Sequence, residues 1–301
     1  MSYKKAEALL ALVIIARATS LLIIKLSLQG FTTFNLMALR FCIAFFCLMP
    51  FVRKRLSSIR KDTILRGGML GSIFFIIIGL ELKGLRMTNS SATVSFLENT
   101  AIVLVPLAEA ALRRRLPHRQ NLLSAALALM GVGFLILRGG RIELQPGILV
   151  CMCTATLYTS YIILTDRLAH RDDPLVLGFV IIGTAGLLSA VSSVLFEAPR
   201  LPETPREWVG ILLLAVICGA IGTALQPMAQ KYVPSEKACV FCALNPLSTC
   251  VMGWLFLNEW QGITGLIGAV LILASIILAS VKLPEVNAAR RPARNRSAER
   301  A

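Results

Sequence analysis

"LLALVIIARATSLLIIKLS", residues 9–27, is apolar at almost every position, yet it carries Arg17 in its middle and Lys25 near its end. As an α-helix the stretch rises about 28 Å, close to the roughly 30 Å hydrocarbon thickness of a bilayer. The rest of the chain repeats the pattern. Of its 301 residues, 56% are hydrophobic and 16% charged, against about 25% charge in an ordinary soluble domain. Apolar runs long enough to span a membrane occur at about 6–28, 34–52, 64–84, 90–112, 120–138, 147–165, 175–195, 208–230, 236–257 and 263–281. The first is longer than a signal-peptide core and lacks a small-residue exit, so it reads as a span rather than a cleaved leader. The expected fold is an all-α membrane protein of ten transmembrane helices.

The basic residues orient it. With the N-terminus in the cytoplasm, the cytoplasmic segments hold 22 of the 31 Lys and Arg residues, and the far side holds 6. The cytoplasmic ones fall at residues 4–5, 53–66, 113–119, 167–171 and 231–237, and beyond 281. This asymmetry predicts that both termini are cytoplasmic. It also accounts for the net charge of +15, which therefore reads as a topology signal and not as a nucleic-acid surface. The tail from 282 to 301 is basic, lacks apolar periodicity and reads as disordered. The expected location is the cell (inner) membrane, multi-pass.

Little catalytic chemistry is present. The two histidines, His118 and His170, fall in loops, and the eight cysteines all fall in spans. Cys239 and Cys242 form a C-x-x-C without His or acidic neighbours, which reads as small apolar residues at a helix interface. No cofactor and no metal is expected, and the membrane region lacks the nucleophile, base and orienting group that an enzyme needs.

An internal repeat is visible. "SATVSFLENTAIVLVPLAEAALRRR" resembles "EKACVFCALNPLSTCVMGWLFLNEW", with Ala92, Val94 and Asn99 matching Ala238, Val240 and Asn245. Each segment precedes a glycine-dotted span. Two five-span units, 1–141 and 142–281, then lie in opposite orientations because five is odd. Inverted repeats of this kind place a substrate site at the midplane between the halves.

These residues carry a resemblance to the drug/metabolite transporter superfamily, and in it to the EamA-type ten-span exporters. That family's first span commonly reads W-G-[ST]-x-F-x-x-x-K; the same frame here runs from Arg17 through Thr19 and Ser20 to Lys25. The span 2 arginine is kept as Arg40. Span 4 resembles the family pattern from Ala92 to Pro106, and span 9 resembles it in Ala238, Leu244, Pro246, Gly253, Leu257 and Glu259. The chain departs from the family in placing Arg17 where Trp is usual, and Arg113, Arg114 and Arg115 where an acidic residue usually closes the first half. The resemblance implies export of a small solute by alternating access.

Depth selects the site candidates. Arg17 sits at the middle of span 1, about 15 Å from either headgroup layer and beyond the reach of snorkelling. Facing lipid there costs about 2.5–3.5 kcal/mol on insertion scales, so it must face a partner, water or a substrate anion. Lys25, about 12 Å farther out, can snorkel as an interfacial anchor. Arg40 and Glu98 both fall about 4–5 Å outward of the midplane. They form either a structural ion pair or part of a substrate site, with Glu98 the candidate for proton coupling. Glu81, near the outer end of span 3 beside Lys83, and Glu109, four residues before Arg113, read as structural charges.

The candidate substrate-binding set is Arg17, Thr19, Ser20, Arg40, Glu98, Asn99, Tyr158, Tyr161, Gln226 and Asn245. Pro246 removes a helical hydrogen bond and leaves a carbonyl available beside Asn245. Tyr158 and Tyr161 either stack on a substrate or pack with their hydroxyls satisfied. Gln226, before Pro227, suits a gate. The expected function is export of a small metabolite such as an amino acid or related anionic or zwitterionic compound. A lipid or polyprenyl-phosphate carrier, or an exporter of drugs or organic cations, is the alternative. Expected partners are a small-molecule substrate, membrane lipid and protons, with no nucleic acid, in a monomer or homodimer.

Overall fold

The computed structural model describes residues 3–27, 30–58, 60–87, 99–114, 119–136, 146–257 and 262–280. Within them every regular element is helical: α1 (Tyr3–Ser27), α2 (Thr33–Val52), a 3-10 turn (Arg53–Ser58), α3 (Lys61–Met87), α4 (Ala101–Arg113), α5 (Arg119–Ile136), α6 (Pro146–Ala169), α7 (Pro174–Phe196) and α8 (Pro205–Leu213). A π-helical segment (Leu214–Ala224) follows, then α9 (Gln226–Gln230), α10 (Ser235–Phe241), α11 (Leu244–Leu257) and α12 (Gly262–Ser280). Among the described residues five helices are long and apolar enough to cross a membrane: Thr33–Arg55, Lys61–Gly84, Leu149–Ala169, Pro174–Phe196 and Pro205–Gln230. Ala101–Leu112 and Ile263–Ala279 are shorter apolar helices.

Local chemistry sets several helix ends. Asp173 caps α7, its carboxylate accepting from the Leu175 N–H at 3.0 Å, with Pro174 in the first turn. Pro lacks the donor that would be orphaned there anyway. Thr204 and Glu207 form a reciprocal capping box on α8. The first turn of α2 is capped from a distance. Glu197, just past α7, accepts from the Phe34 and Asn35 N–H groups at 3.1 and 2.8 Å and from the Thr32 hydroxyl at 2.6 Å. A carboxylate at a helix N-terminus is favoured by both charge and orphan donors.

Helix pairing has two-fold character. α2 packs on α7 and α5 on α12, each helix against its counterpart in the other half. α3 packs on α6 as the α8–π–α9 segment packs on α1, and α4 packs on α6 as α10 and α11 pack on α1. Counterparts run in opposite senses. Phe34 meets Phe196 while Phe45 stacks on Phe179 at 4.3 Å, and Gln120 bonds the Leu278 carbonyl while Gly131 lies against Gly268. Small residues permit the close approach, as expected where lipid removes the hydrophobic drive. A Cβ at Gly71 would lie 2.7 Å from the Ile181 carbonyl, and one at Gly131 would lie 2.9 Å from that of Gly268. Between the helices, Phe41, Phe74, Tyr161 and Ile181 form the centre of a core with no exposed surface.

The two ends of the bundle differ. At one, Asp172 accepts from Thr63 at 2.7 Å and pairs with Arg66 at 3.2 Å, and Arg55 meets Asp173 at 2.7 Å. Nearby, fully buried Glu109 lies 3.7 Å from Arg167 and accepts from the Ser235 hydroxyl at 3.3 Å. Asp166 takes the Ser235 N–H at 3.4 Å, and Asn121 donates to Glu236. Segments 53–66, 167–171 and 231–237, read from the sequence as one side of the membrane, thus converge on one end, and the start of α5 joins them. The start of α1, packed on α9 and α10, and the end of α12, beside Gln120, lie there too. Glu109 ties α6 and α10 to α4 through Arg167 and Ser235; the side chain of Arg113, its expected partner one turn on, lies outside the described residues. The opposite end carries Glu197 on α2 and the Arg200–Glu207 pair.

Candidate functional site

Three of the ten candidates meet in one cavity. Asn99, Tyr158 and Asn245 line a space of about 70 Å³ together with Glu81, Thr154, Ile14, Ile77, Ala155 and Cys242. The lining comes from the middle of α1, the second half of α3, the middle of α6, Asn99 before α4 and the α10–α11 junction. α3 and α6 run antiparallel, with Phe74 against Tyr161 and Gly84 against Cys151. The cavity therefore lies in the half of the bundle away from the charged end just described.

The two asparagines are repeat mates, and each stands beside a helix break. Asn99 directly precedes Thr100, the N-cap of α4. Asn245 lies in the first turn of α11, which a turn at Cys242–Ala243 separates from α10. A helix break beside each asparagine, after Asn99 and before Asn245, brings polar side chains and loosened backbone into a helical bundle. The Cys242 carbonyl, whose helical donor would be the nitrogen of Pro246, accepts instead from the Asn245 N–H at 2.9 Å. The carbonyl that the sequence reading left available is thus taken up by the adjacent turn.

On α6, Thr154 and Tyr158 are four residues apart and share a face. The Thr154 hydroxyl donates to the Val150 carbonyl at 2.9 Å, and the Tyr158 hydroxyl lies 3.8 Å from the Cys242 sulfur. Tyr158 stacks on Tyr161, with ring centroids 6.2 Å apart. Tyr161 itself is fully buried against Phe74 and belongs to the core rather than the cavity wall. The pair is divided: one ring lines the space and the other backs it.

Arg40, Gln226 and Thr19 lie elsewhere. Arg40 is 7% exposed on α2, its guanidinium 4.4 Å from the Phe41 ring centre, on a helix that packs against α7 and the π segment. Gln226 is buried where the π segment gives way to α9. The Thr19 hydroxyl donates to the Ala16 carbonyl one turn back, at 2.7 Å. Arg17 and Ser20 belong to α1, with Arg17 one turn past the cavity residue Ile14, but the side chains of Arg17, Ser20 and Lys25 lie outside the described residues, as does all of Glu98.

Glu81 and Thr154 were not on the list. Glu81 escaped because its span was expected to end near residue 84. α3 in fact runs to Met87, which sets Glu81 six residues, about 9 Å, inside the helix end. The usable signal was its spacing of four from Ile77 in an otherwise apolar run.

The comparisons agree with this architecture. The profile of the EamA-like transporter family matches residues 4–137 and again residues 145–281. Two proteins of Archaeoglobus fulgidus, each described as an uncharacterized transporter, are similar along most of their lengths. One is 25% identical over 291 residues, covering 92% of this chain and 98% of its own, and the other is 23% identical over 274 residues, covering 91% and 85%. A solved crystal structure superposes with a TM-score of 0.80 at 19% identity, over 93% of this chain and 99% of its own. Matched twice along its length by one profile, with counterpart helices paired across the two matches, the chain belongs to the EamA-like transporter family.

Proposed function

We propose that this protein is a secondary-active transporter of ten spans, with both termini cytoplasmic, that exports a small zwitterionic or anionic metabolite of the amino-acid class by alternating access. One observation carries the reading: Asn99 and Asn245, mates in the two halves, line the same cavity. A site shared by two halves of opposite orientation can be opened from either side by moving one half against the other. In this reading the contacts of Glu109, Asp166 and Asp172 hold the charged end together. Opening toward the cytoplasm then requires those contacts to part. Arg17, at mid-depth on α1, supplies a two-point grip for a carboxylate, and Glu98 is the candidate proton carrier.

The test is transport by the purified protein in liposomes, with each of the twenty amino acids and with and without an imposed proton gradient. Accumulation of at least one amino acid, enhanced by the gradient, is expected. Flux of none of them, with or without the gradient, rejects the substrate class.

A further inference from the structure

We propose that the connection between α2 and α3, together with the turn that leads into α7, forms a seat for the headgroup of an anionic phospholipid. The inference concerns a bound lipid rather than the transported solute, and it needs only that these helices span a membrane.

Charge comes first. Residues 53–66 and 171–173 carry seven basic and three acidic side chains. Each of the acids is engaged. Asp173 pairs with Arg55 at 2.7 Å and caps α7, Asp172 accepts from Thr63 and pairs with Arg66, and Asp62 lies 3.9 Å from Arg60. Arg53, Lys54, Lys61 and Arg171 are exposed, and among the described residues none of these four has an ion pair. A surplus of positive charge therefore stands on the surface here.

The contacts of the two aspartates gather that surplus. Arg53 and Lys54 lead into Arg55, which meets Asp173; Lys61 stands two residues before Thr63, which donates to Asp172; and Arg171 directly precedes Asp172. Each of the four cations is thus within two residues of a contact made by the Asp172–Asp173 pair. The pair belongs to the second half of the chain and its partners to the first, so an anion held among these cations touches both halves.

The neighbouring surface selects the kind of anion. The apolar spans Thr33–Arg55, Lys61–Gly84 and Pro174–Phe196 all begin or end at this level. Phe51 is 73% exposed and Leu65 is 76% exposed. They stand two residues before Arg53 and four after Lys61, about 3 and 6 Å to the membrane side of those cations. Phe46, Met49, Ile64 and Met69 extend the exposed apolar surface along the same two helices. Free phosphate answers the cations and leaves that surface unmet. A phospholipid answers both, with its phosphate among the basic side chains and its acyl chains along α2 and α3. Arginine forks match phosphate oxygens at two points and lysines add point charge. Clustered basic residues beside a span attract anionic lipid in this way.

The test uses the purified full chain, stripped of lipid in a neutral detergent. Melting temperature is followed as phosphatidylglycerol, phosphatidylcholine or glycerol 3-phosphate is added, and the midpoint of each titration gives an apparent affinity. Arg53→Gln/Lys54→Gln is run beside the wild type. Lys4→Gln/Lys5→Gln, which removes the same charge from exposed positions at the start of α1, is the control. Expected are a saturable rise in melting temperature with phosphatidylglycerol and little with the other two additives. The apparent affinity should fall roughly tenfold or more in Arg53→Gln/Lys54→Gln and stay within twofold of wild type in the control. An equal response to phosphatidylcholine, or an equal loss in the control, overturns the site. A full response to glycerol 3-phosphate overturns the lipid and leaves a phosphate site. Should Arg53→Gln/Lys54→Gln fail to fold, Lys61→Gln/Arg171→Gln takes its place under the same criteria. The transporter reading stands or falls by the flux assay, whichever way these titrations come out.

Discussion

Arg17 concentrates the energetic problem of this chain at one position. Arg17 falls at the middle of a 25-residue helix, and its neighbours Ala16 and Ala18 are buried in protein. Its planar fork of donors grips a carboxylate at two points, whereas the ammonium of lysine is a single compact charge. Arg17→Lys, which keeps the charge, should therefore lower transport of an amino acid by about tenfold or more while the protein still inserts and folds. Liposome flux and detergent melting measure the two effects separately, and unaltered flux would remove Arg17 from the site. The candidates chosen from the sequence fall in different places. Asn99, Tyr158 and Asn245 line one cavity, while Tyr161, of the same type and one turn along, is core. Type and spacing do not reveal which side of a helix faces a space when apolar residues surround it on every side.

At the scale of elements, close helix contact depends on glycine. α5 and α12 lie antiparallel, and the Gly131 position leaves no room for a side chain: an added Cβ would meet the Gly268 carbonyl and the Ile272 N–H at 2.9 Å. Gly131→Leu should force the helices apart and destabilise the protein by about 1–3 kcal/mol or more, seen as a lower melting temperature in detergent; an unchanged melt would show that the contact contributes little. The α8–π–α9 segment is the irregular element. Its π-helical stretch ends three residues before Pro227, a residue that cannot donate to the turn behind it. Proline and glycine marked this place in the sequence. The π geometry was not legible, since it depends on how the segment packs against α1 and α2. Helix ends showed the same division. The Thr204–Glu207 box is written in adjacent residues, whereas the cap of α2 by Glu197 joins residues more than 160 positions apart.

For the whole molecule, charge predicts topology. Segments 53–66, 167–171 and 231–237, basic in the sequence, meet at one end of the bundle, and the start of α1 and the end of α12 lie with them. Reporter fusions at residue 3 and after residue 281 should both report cytoplasm, and a fusion near residue 200 should report the opposite side. A periplasmic signal at either terminus would contradict the orientation. The sequence by itself determined the class, the two-unit organisation and the unequal share of basic residues at the bundle's two ends, because hydropathy, repeat spacing and the distribution of Lys and Arg are additive properties that need no partner to be read. Only the tertiary structure decided which polar groups share a space. It united Asn99 with Asn245, brought Glu81 in from an apparent helix end, left Arg40 on a different interface and joined Glu109 to Arg167 and Ser235. Each of these depends on the rotation and the exact end of a helix packed on all sides, and in an apolar chain neither leaves a periodic trace.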